Sequence, residues 1–227
     1  MLSLKNVSKS FGGVKAVDRC TFEVKDNTIT SLIGPNGAGK TTVFNIISGI
    51  TMPDSGSVKL INKNITSLPA YKIAQSGISR TFQITKIFKN MSIKDNLLIA
   101  KKTSEEEMKK ILQSIYLHKP LGTIASELSY GQQRLLELAR SLLMPHVLLM
   151  LDEPTAGVNP KIRHELKSIL KNLKKEGKTV LLIEHDMEFV MDISDTVIVL
   201  NEGKVLKIGK PKEISEDKRV LEAYLGK

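Results

Sequence analysis

Apolar and polar residues alternate loosely over Leu2–Val7 and again over Cys20–Val24, which predicts two half-buried strands. Asp26-Asn27 supplies a turn before a third strand at Thr28–Ile33. A glycine-rich stretch follows, then a helical run from Lys40 to Ser48 that Gly49 ends. Pro53-Asp54-Ser55-Gly56 is a turn signal ahead of a strand at Ser57–Ile61. From about Pro69 to Ala100 the pattern is one of helix and loop. Glu105–Tyr116 carries Met108, Ile111, Leu112 and Ile115 at helical spacing, a stripe read as core packing. Gln132–Leu143 is a strong amphipathic helix stopped by Pro145. Val147–Leu151 and Thr179–Ile183 are continuous apolar runs of strand length, of the kind buried in a parallel sheet, with a helix at Ile162–Lys175 between them. Thr196–Leu200 and Lys204–Ile208 read as a hairpin turning at Asn201-Glu202-Gly203, and the tail from Pro211 reads as helical.

Strands that alternate with helices through the second half predict an α/β fold with a parallel sheet. The helical stretch from about 70 to 130 interrupts that alternation and reads as an inserted lobe. The expected organisation is a single domain over 1–227. Residues 1–68 and 132–227 form its core with an antiparallel β portion, and 69–131 its helical lobe.

The length of 227 residues fits one large domain, and 41% hydrophobic with 26% charged residues is a globular profile. No segment approaches the roughly 18 consecutive apolar residues that cross a bilayer, and the start Met1-Leu2-Ser3-Leu4-Lys5 does not read as a signal peptide. The single cysteine, Cys20, reads as packing rather than chemistry and fits a reducing compartment. The net charge of +10 raises nucleic acid as a partner. However, the excess is mostly lysine spread along the chain, aromatics are 4% and tryptophan is absent, so no nucleic-acid role is expected. Attraction to anionic lipid head groups is a comparable option.

Gly34-Pro35-Asn36-Gly37-Ala38-Gly39-Lys40-Thr41 fits G-x-x-x-x-G-K-[ST] without a gap, between a predicted strand and a predicted helix. Glycines let backbone N–H groups turn in on a phosphate, and the helix N-terminus adds partial positive charge. Lys40 is expected on the β- and γ-phosphates and the Thr41 hydroxyl on Mg²⁺, with Thr42 closing the nucleotide-binding set. ATP with Mg²⁺ is the implied ligand. Leu148-Leu149-Met150-Leu151 then places Asp152 and Glu153 at the C-terminal edge of a buried strand, where a parallel sheet opens its ligand crevice. Asp152 is expected as a metal partner and Glu153 as the general base that polarises the attacking water.

Leu128-Ser129-Tyr130-Gly131-Gln132, directly before an amphipathic helix, resembles the LSGGQ signature of ABC-type ATPases, with Tyr130 in place of the commoner glycine. It is a second helix N-terminus able to hold a phosphate. The resemblance implies that Ser129, Tyr130, Gly131 and Gln132 reach the nucleotide of a second copy, in a head-to-tail dimer that sandwiches two ATPs. It further implies that Phe11 stacks on adenine, ordinary core being the other reading, with Val17 packed beside it. Gln83 in Arg80-Thr81-Phe82-Gln83 matches the Q-loop that touches Mg²⁺ or the water. His185 matches the switch histidine on the γ-phosphate. Ala156-Gly157-Val158-Asn159-Pro160 occupies the D-loop position, with Asn159 where many members carry Asp, and His118, His146 and His164 match nothing.

The fold this implies is a P-loop NTPase, a RecA-like parallel-sheet core with an antiparallel β subdomain and an inserted helical lobe. A narrower resemblance is to the LivG-type ATPases of branched-chain amino acid importers. It rests on Gly77–Gln83, Leu128–Arg134, Ile183–Met187 and Ala223-Tyr224-Leu225-Gly226. The resemblance implies an ATP-hydrolysing motor at the cytoplasmic face of a membrane. Its partners would be membrane-spanning permease subunits, a second ATPase (a copy of itself or a LivF-like sister) and, indirectly, a substrate-binding protein. Another transport system, such as lipopolysaccharide export, or a non-transport ABC ATPase is the alternative. Between Ala100 and Leu128 the chain is shorter than is usual for the LivG type.

Overall fold

The computed structural model describes residues 1–82 and 85–225. Strands β1 (Leu2–Phe11) and β2 (Val14–Val24) form an antiparallel hairpin, with Leu2 opposite Val24 and Phe11 opposite Val14. Along β2, Cys20, Phe22 and Val24 are buried while Thr21 and Glu23 are exposed, the expected period of two. Asn6 and Arg19 both take φ near 49°, beside register shifts in the pairing, and these bulges break the alternation further along. After β3 (Ile29–Ile33) and α1 (Lys40–Ile47) the chain returns as β4 (Ser55–Leu60) and β5 (Lys63–Asn64). These complete a four-stranded sheet in the order β2-β1-β4-β5. Cys20 lies fully inside this layer, and burial pushes its thiol up to about 12, in line with a packing role.

Next come α2 (Ala70–Gln75) and β6 (Ile78–Arg80), then α3 (Ile93–Ala100), α4 (Glu105–Ser114) and α5 (Tyr130–Leu143). Beyond them β7 (Leu148–Asp152) and β8 (Thr179–Ile183) flank α6 (Pro160–Lys175), and α7 (Met187–Ile193) precedes the hairpin β9 (Thr196–Asn201) and β10 (Lys204–Gly209). The chain closes with α8 (Pro211–Ser215) and α9 (Lys218–Leu225). The second sheet runs β10-β9-β3-β8-β7-β6. All its pairs are parallel except β9 with β10, whose turn residues Glu202 and Gly203 both have positive φ. That is the primed-turn geometry that fits strand twist.

Side chains of the central strands serve two cores in alternation. Leu149 and Leu151 of β7 with Val180 and Leu182 of β8 face α5 and α6. Leu148, Met150, Leu181 and Ile183 face α1 and the antiparallel sheet. A strand buried on both sides needs an unbroken apolar run, which is why these two were plain in the sequence.

One boundary differs from expectation. Ile78–Arg80 lies within the 69–131 stretch assigned to the helical lobe, yet it is the edge strand of the core sheet, with Ile78 opposite Leu148. A three-residue strand with one apolar side chain carries no readable period. Ile73 of α2 likewise packs with α1 and the core, not with the lobe. The lobe proper therefore begins after Arg80. It is built on α3, whose start is a reciprocal Ser92–Asp95 cap, and on α4, capped by Ser104 with Glu105, Glu106 and Glu107 in its first turn. Met108, Leu112 and Ile115 bury the expected stripe of the short segment against α3 and α5.

Candidate active site

Three adjacent strands of the second sheet, β3, β8 and β7, end at one edge, and each is followed by a candidate group. The loop after β3 runs Gly34–Gly39 into α1, whose N-cap Gly39 sits at φ 97° with no side-chain cap. The first N–H groups of α1 are thus left for a ligand. The glycines are required by approach. A Cβ on Gly34 would stand 2.2 Å from the Leu200 carbonyl oxygen, and one on Gly39 would stand 2.3 Å from that of Ala16. Gly37, at φ 80°, faces open space. Asn36, Gly37 and Thr41 are exposed, Pro35 and Thr42 half-buried, and Ala38 buried. Lys40 is buried, and its Nζ donates to the Gly34 and Pro35 carbonyls at 2.7 and 3.0 Å. Burial lowers its pKa, and the charges of Glu153 and Asp152 oppose that. The ammonium therefore lies inside the curve of its own loop.

Asp152 ends β7 and is buried. Burial raises its pKa, and Arg80, 2.9 Å from Oδ2, holds it down. Glu153 follows at φ 51°, in the left-handed region that a non-glycine residue seldom takes. Its N–H donates to the Ile183 carbonyl at 3.0 Å, tying the ends of β7 and β8 together. Two residues past β8, His185 brings Nε2 to 2.9 Å from Glu153 Oε1. The sheet thus gathers Lys40, Asp152, Glu153 and His185 at one edge. Gln83 lies outside the described residues.

The donors suit a nucleotide-borne cation. Among the described residues no group of three or more His, Cys, Asp and Glu is placed to hold a metal. Of the expected partners Thr41, Gln83 and Asp152, the two within the described residues, Thr41 and Asp152, are hard oxygen donors and too few to form a cage. That matches Mg²⁺, which keeps waters and takes the rest of its shell from substrate phosphates.

A sequence profile described as ABC transporter matches residues 17–156. The chain belongs to the ABC transporter family. ATP hydrolysis is the activity of its ATP-binding cassettes. The branched-chain amino acid transport ATP-binding protein BraF of Pseudomonas aeruginosa is 40% identical over 249 aligned positions, covering 100% of this chain and 98% of BraF. LivG of Escherichia coli K12, of the same description, is 39% identical with the same coverage. The lipopolysaccharide export ATP-binding protein LptB of Acidithiobacillus ferridurans is 33% identical over 100% of this chain and 97% of its own. Among solved structures, a nucleotide-free ATP-binding cassette superposes with a TM-score of 0.92 at 33% identity, covering 100% of this chain and 99% of its own. A dimeric cassette, MJ0796, bound to ADP and Pi, superposes with a TM-score of 0.83 at 25% identity, covering 93% and 99%.

The turn that resembles the signature, Leu128–Gln132, leads into α5. Ser129 and Gln132 cap each other: Gln132 N–H donates to Ser129 Oγ at 3.3 Å and Ser129 N–H to Gln132 Oε1 at 3.1 Å. Gly131 is buried because a Cβ there would meet Ile162 of α6 at 2.9 Å. Tyr130 is exposed, with its ring over Gly157, whose added Cβ would meet Tyr130 Cε1 at 3.1 Å. Asn159 caps α6 by accepting the Ile162 N–H at 3.0 Å, a task Asn and Asp share.

Phe11 is 50% exposed at the tip of its hairpin, which removes the core reading. Its register partner Val14, 70% exposed and not singled out by the sequence, is a second apolar surface there. Val17 is a correction. It is 0% exposed and belongs to the core between sheet and α1, covered by Gly203 of the β9–β10 turn, so it offers a base no surface. Two further residues escaped the sequence reading. Arg80 is a buried partner of Asp152, and Glu184 is a buried carboxylate that accepts the N–H groups of Thr155 and His185. Its place at a strand end, one residue before His185, was the signal for Glu184.

Proposed function

We propose that this cassette is the ATP-hydrolysing motor of an importer for branched-chain or other hydrophobic amino acids, working as a nucleotide-sandwich dimer against separate membrane subunits. The observation that carries the ATPase part is the 2.9 Å contact between His185 Nε2 and Glu153 Oε1, at the strand edge that also presents the phosphate loop. The descriptions of BraF and LivG support the solute class, and their identity to this chain exceeds that of LptB.

The phosphates of ATP take the N-terminus of α1, and Lys40 exchanges the Gly34 and Pro35 carbonyls for β- and γ-phosphate oxygens. Thr41 and Asp152, with Gln83, would hold Mg²⁺, which when bound neutralises charge on those oxygens. Phe11 and Val14 offer the adenine an apolar face. Glu153 takes a proton from the attacking water at its carboxylate, and its contact with His185 fixes which way that carboxylate points. When nucleotide binds, His185 Nε2 can exchange Glu153 Oε1 for the γ-phosphate and donate there as charge builds. Ser129 and Tyr130, the exposed residues of the turn, face the nucleotide of the second subunit.

Among the described residues no helix is long and apolar enough to cross a membrane, so the solute path belongs to other chains. A groove of about 490 Å³ between the core and the helical lobe is lined by Phe82, Lys86, Phe88, Arg140 and Met144. It adjoins the segment that leads to Gln83 and is where a cytoplasmic segment of a permease would sit. Affinity purification of the tagged chain from its native membranes, with identification of the co-purifying subunits, tests the assignment. An amino-acid permease pair with its binding protein is expected. Recovery of an export permease, or of no membrane protein, contradicts it.

A further inference from the structure

Arg80 ends β6, three residues before Gln83, and its side chain is 6% exposed. Its Nη1 donates to Asn45 Oδ1 at 2.9 Å and to Ser48 Oγ at 2.8 Å, both at the far end of α1. Its Nη2 donates to Asp152 Oδ2 at 2.9 Å. The guanidinium carbon lies 5.4 Å from the centre of the Phe44 ring and 5.0 Å from that of Phe82, so both flank the charge. Ser48 in turn donates to the Phe44 carbonyl at 2.8 Å. The next residue repeats the link to β7: Thr81 N–H donates to Met150 O at 3.0 Å, and Thr81 Oγ1 accepts the Asp152 N–H at 3.4 Å.

One planar fork therefore joins three segments. They are the helix that begins with the phosphate loop, the strand end that carries Asp152, and the strand that runs on to Gln83. Two of the oxygen donors assigned to the cation, Thr41 and Asp152, stand on two of these segments. With Asp152 Oδ2 committed to the guanidinium, the plane of the carboxylate is set relative to α1. A lysine carries its three donors on one nitrogen and lacks the two separated nitrogens by which the fork reaches Asn45 and Ser48 on one side and Asp152 on the other.

We infer that Arg80 is a positioning residue of the cation site. It sets how Asp152 meets Thr41, and it makes that spacing depend on the path of residues 80–82. The inference rests on the reading of Asp152 and Thr41 as partners of Mg²⁺.

The test is the gain in affinity of the full-length protein for a fluorescent ATP analogue on adding Mg²⁺, measured against EDTA. It compares wild type, Arg80→Lys, Ser48→Ala and Asp152→Asn. Removing an outer partner of a metal ligand typically weakens metal binding about ten- to a hundredfold. Arg80→Lys is expected to lower the Mg²⁺-dependent gain by about tenfold or more while affinity in EDTA stays within about twofold. Ser48→Ala, which removes one anchor of the guanidinium and leaves Asp152 alone, is expected to lower the gain in the same direction by less. It decides the matter should Arg80→Lys fail to fold. A wild-type gain in folded Arg80→Lys, or in Ser48→Ala, overturns the inference, as does an equal loss of affinity in EDTA. If instead Asp152→Asn keeps the full gain, or the wild type shows none, the cation reading itself has failed and the inference falls with it.

Discussion

Glu184 Oε1 accepts the backbone N–H of Thr155 at 2.8 Å while Oε2 accepts that of His185 at 3.1 Å. The side chain is buried and stands between the segment after Glu153 and the one that carries His185. Glu184→Ala removes two part-buried hydrogen bonds, each worth about 0.5–3 kcal/mol. Denaturant unfolding should show a loss of that order, and ATP turnover should fall with it because His185 is no longer held. Unchanged stability and turnover would count against this positioning.

Burial also gives Glu184 a pH signature. Desolvation raises its carboxyl above the ordinary value of 4.5, with the bonds from Thr155, His185 and Asp186 opposing. The folded state then holds its proton to higher pH than the unfolded state. The contribution to stability is full below the unfolded value and is lost as pH rises through the folded one. Glu184→Gln should flatten that part of the stability-against-pH curve above pH 4.5. Parallel curves for the two proteins would show that the residue does not titrate in this window.

Tyr130 departs from the commoner signature glycine, and its ring rests on Gly157, whose φ is 70°. Gly157→Ala should cost about 1–2 kcal/mol for the left-handed backbone, plus a displacement of the ring. In a Tyr130→Gly background only the backbone part should remain. Denaturant unfolding of the four proteins gives the coupling, expected at about 0.5 kcal/mol or more. A coupling of zero would mean the ring is free to leave Gly157 at no cost.

Lys40 closes on the carbonyls of its own loop and must be repaid by phosphate oxygens when nucleotide binds. Lys40→Ala removes a charge-assisted partner worth about 1.5–3 kcal/mol, or roughly ten- to a hundredfold in affinity. Fluorescence titration with an ATP analogue measures it, and retained affinity would mean the loop does not bind phosphate.

Much of this site was legible because it sits on strongly patterned elements. The apolar runs Val147–Leu151 and Thr179–Ile183 needed no tertiary information, and they put Asp152, Glu153 and His185 at one edge as soon as the sheet was parallel. The gapless phosphate loop between strand and helix worked in the same way. What escaped was carried by side chains that meet across the fold. Arg80 sits on a three-residue strand with no period and is separated from Asp152 by 72 positions, so nothing local marked the pair. Val17 misled for the reverse reason. Resemblance puts it beside the adenine, outside the two alternating runs of the sequence, and the β9–β10 turn laid over it decides which way it faces. The seven residues of α7 are too few for a helical stripe to stand out.

The central claim is that Glu153, oriented by His185, is the base for ATP hydrolysis at this strand edge. Phosphate release by the purified wild type and by Glu153→Gln tests it most directly, with ATP binding and oligomeric mass measured on the same samples. Loss of a general base typically costs about 10²–10⁴-fold in rate. Turnover in Glu153→Gln is expected to fall by that order while ATP stays bound and an ATP-loaded dimer accumulates. Phosphate release within a few-fold of wild type would contradict the account.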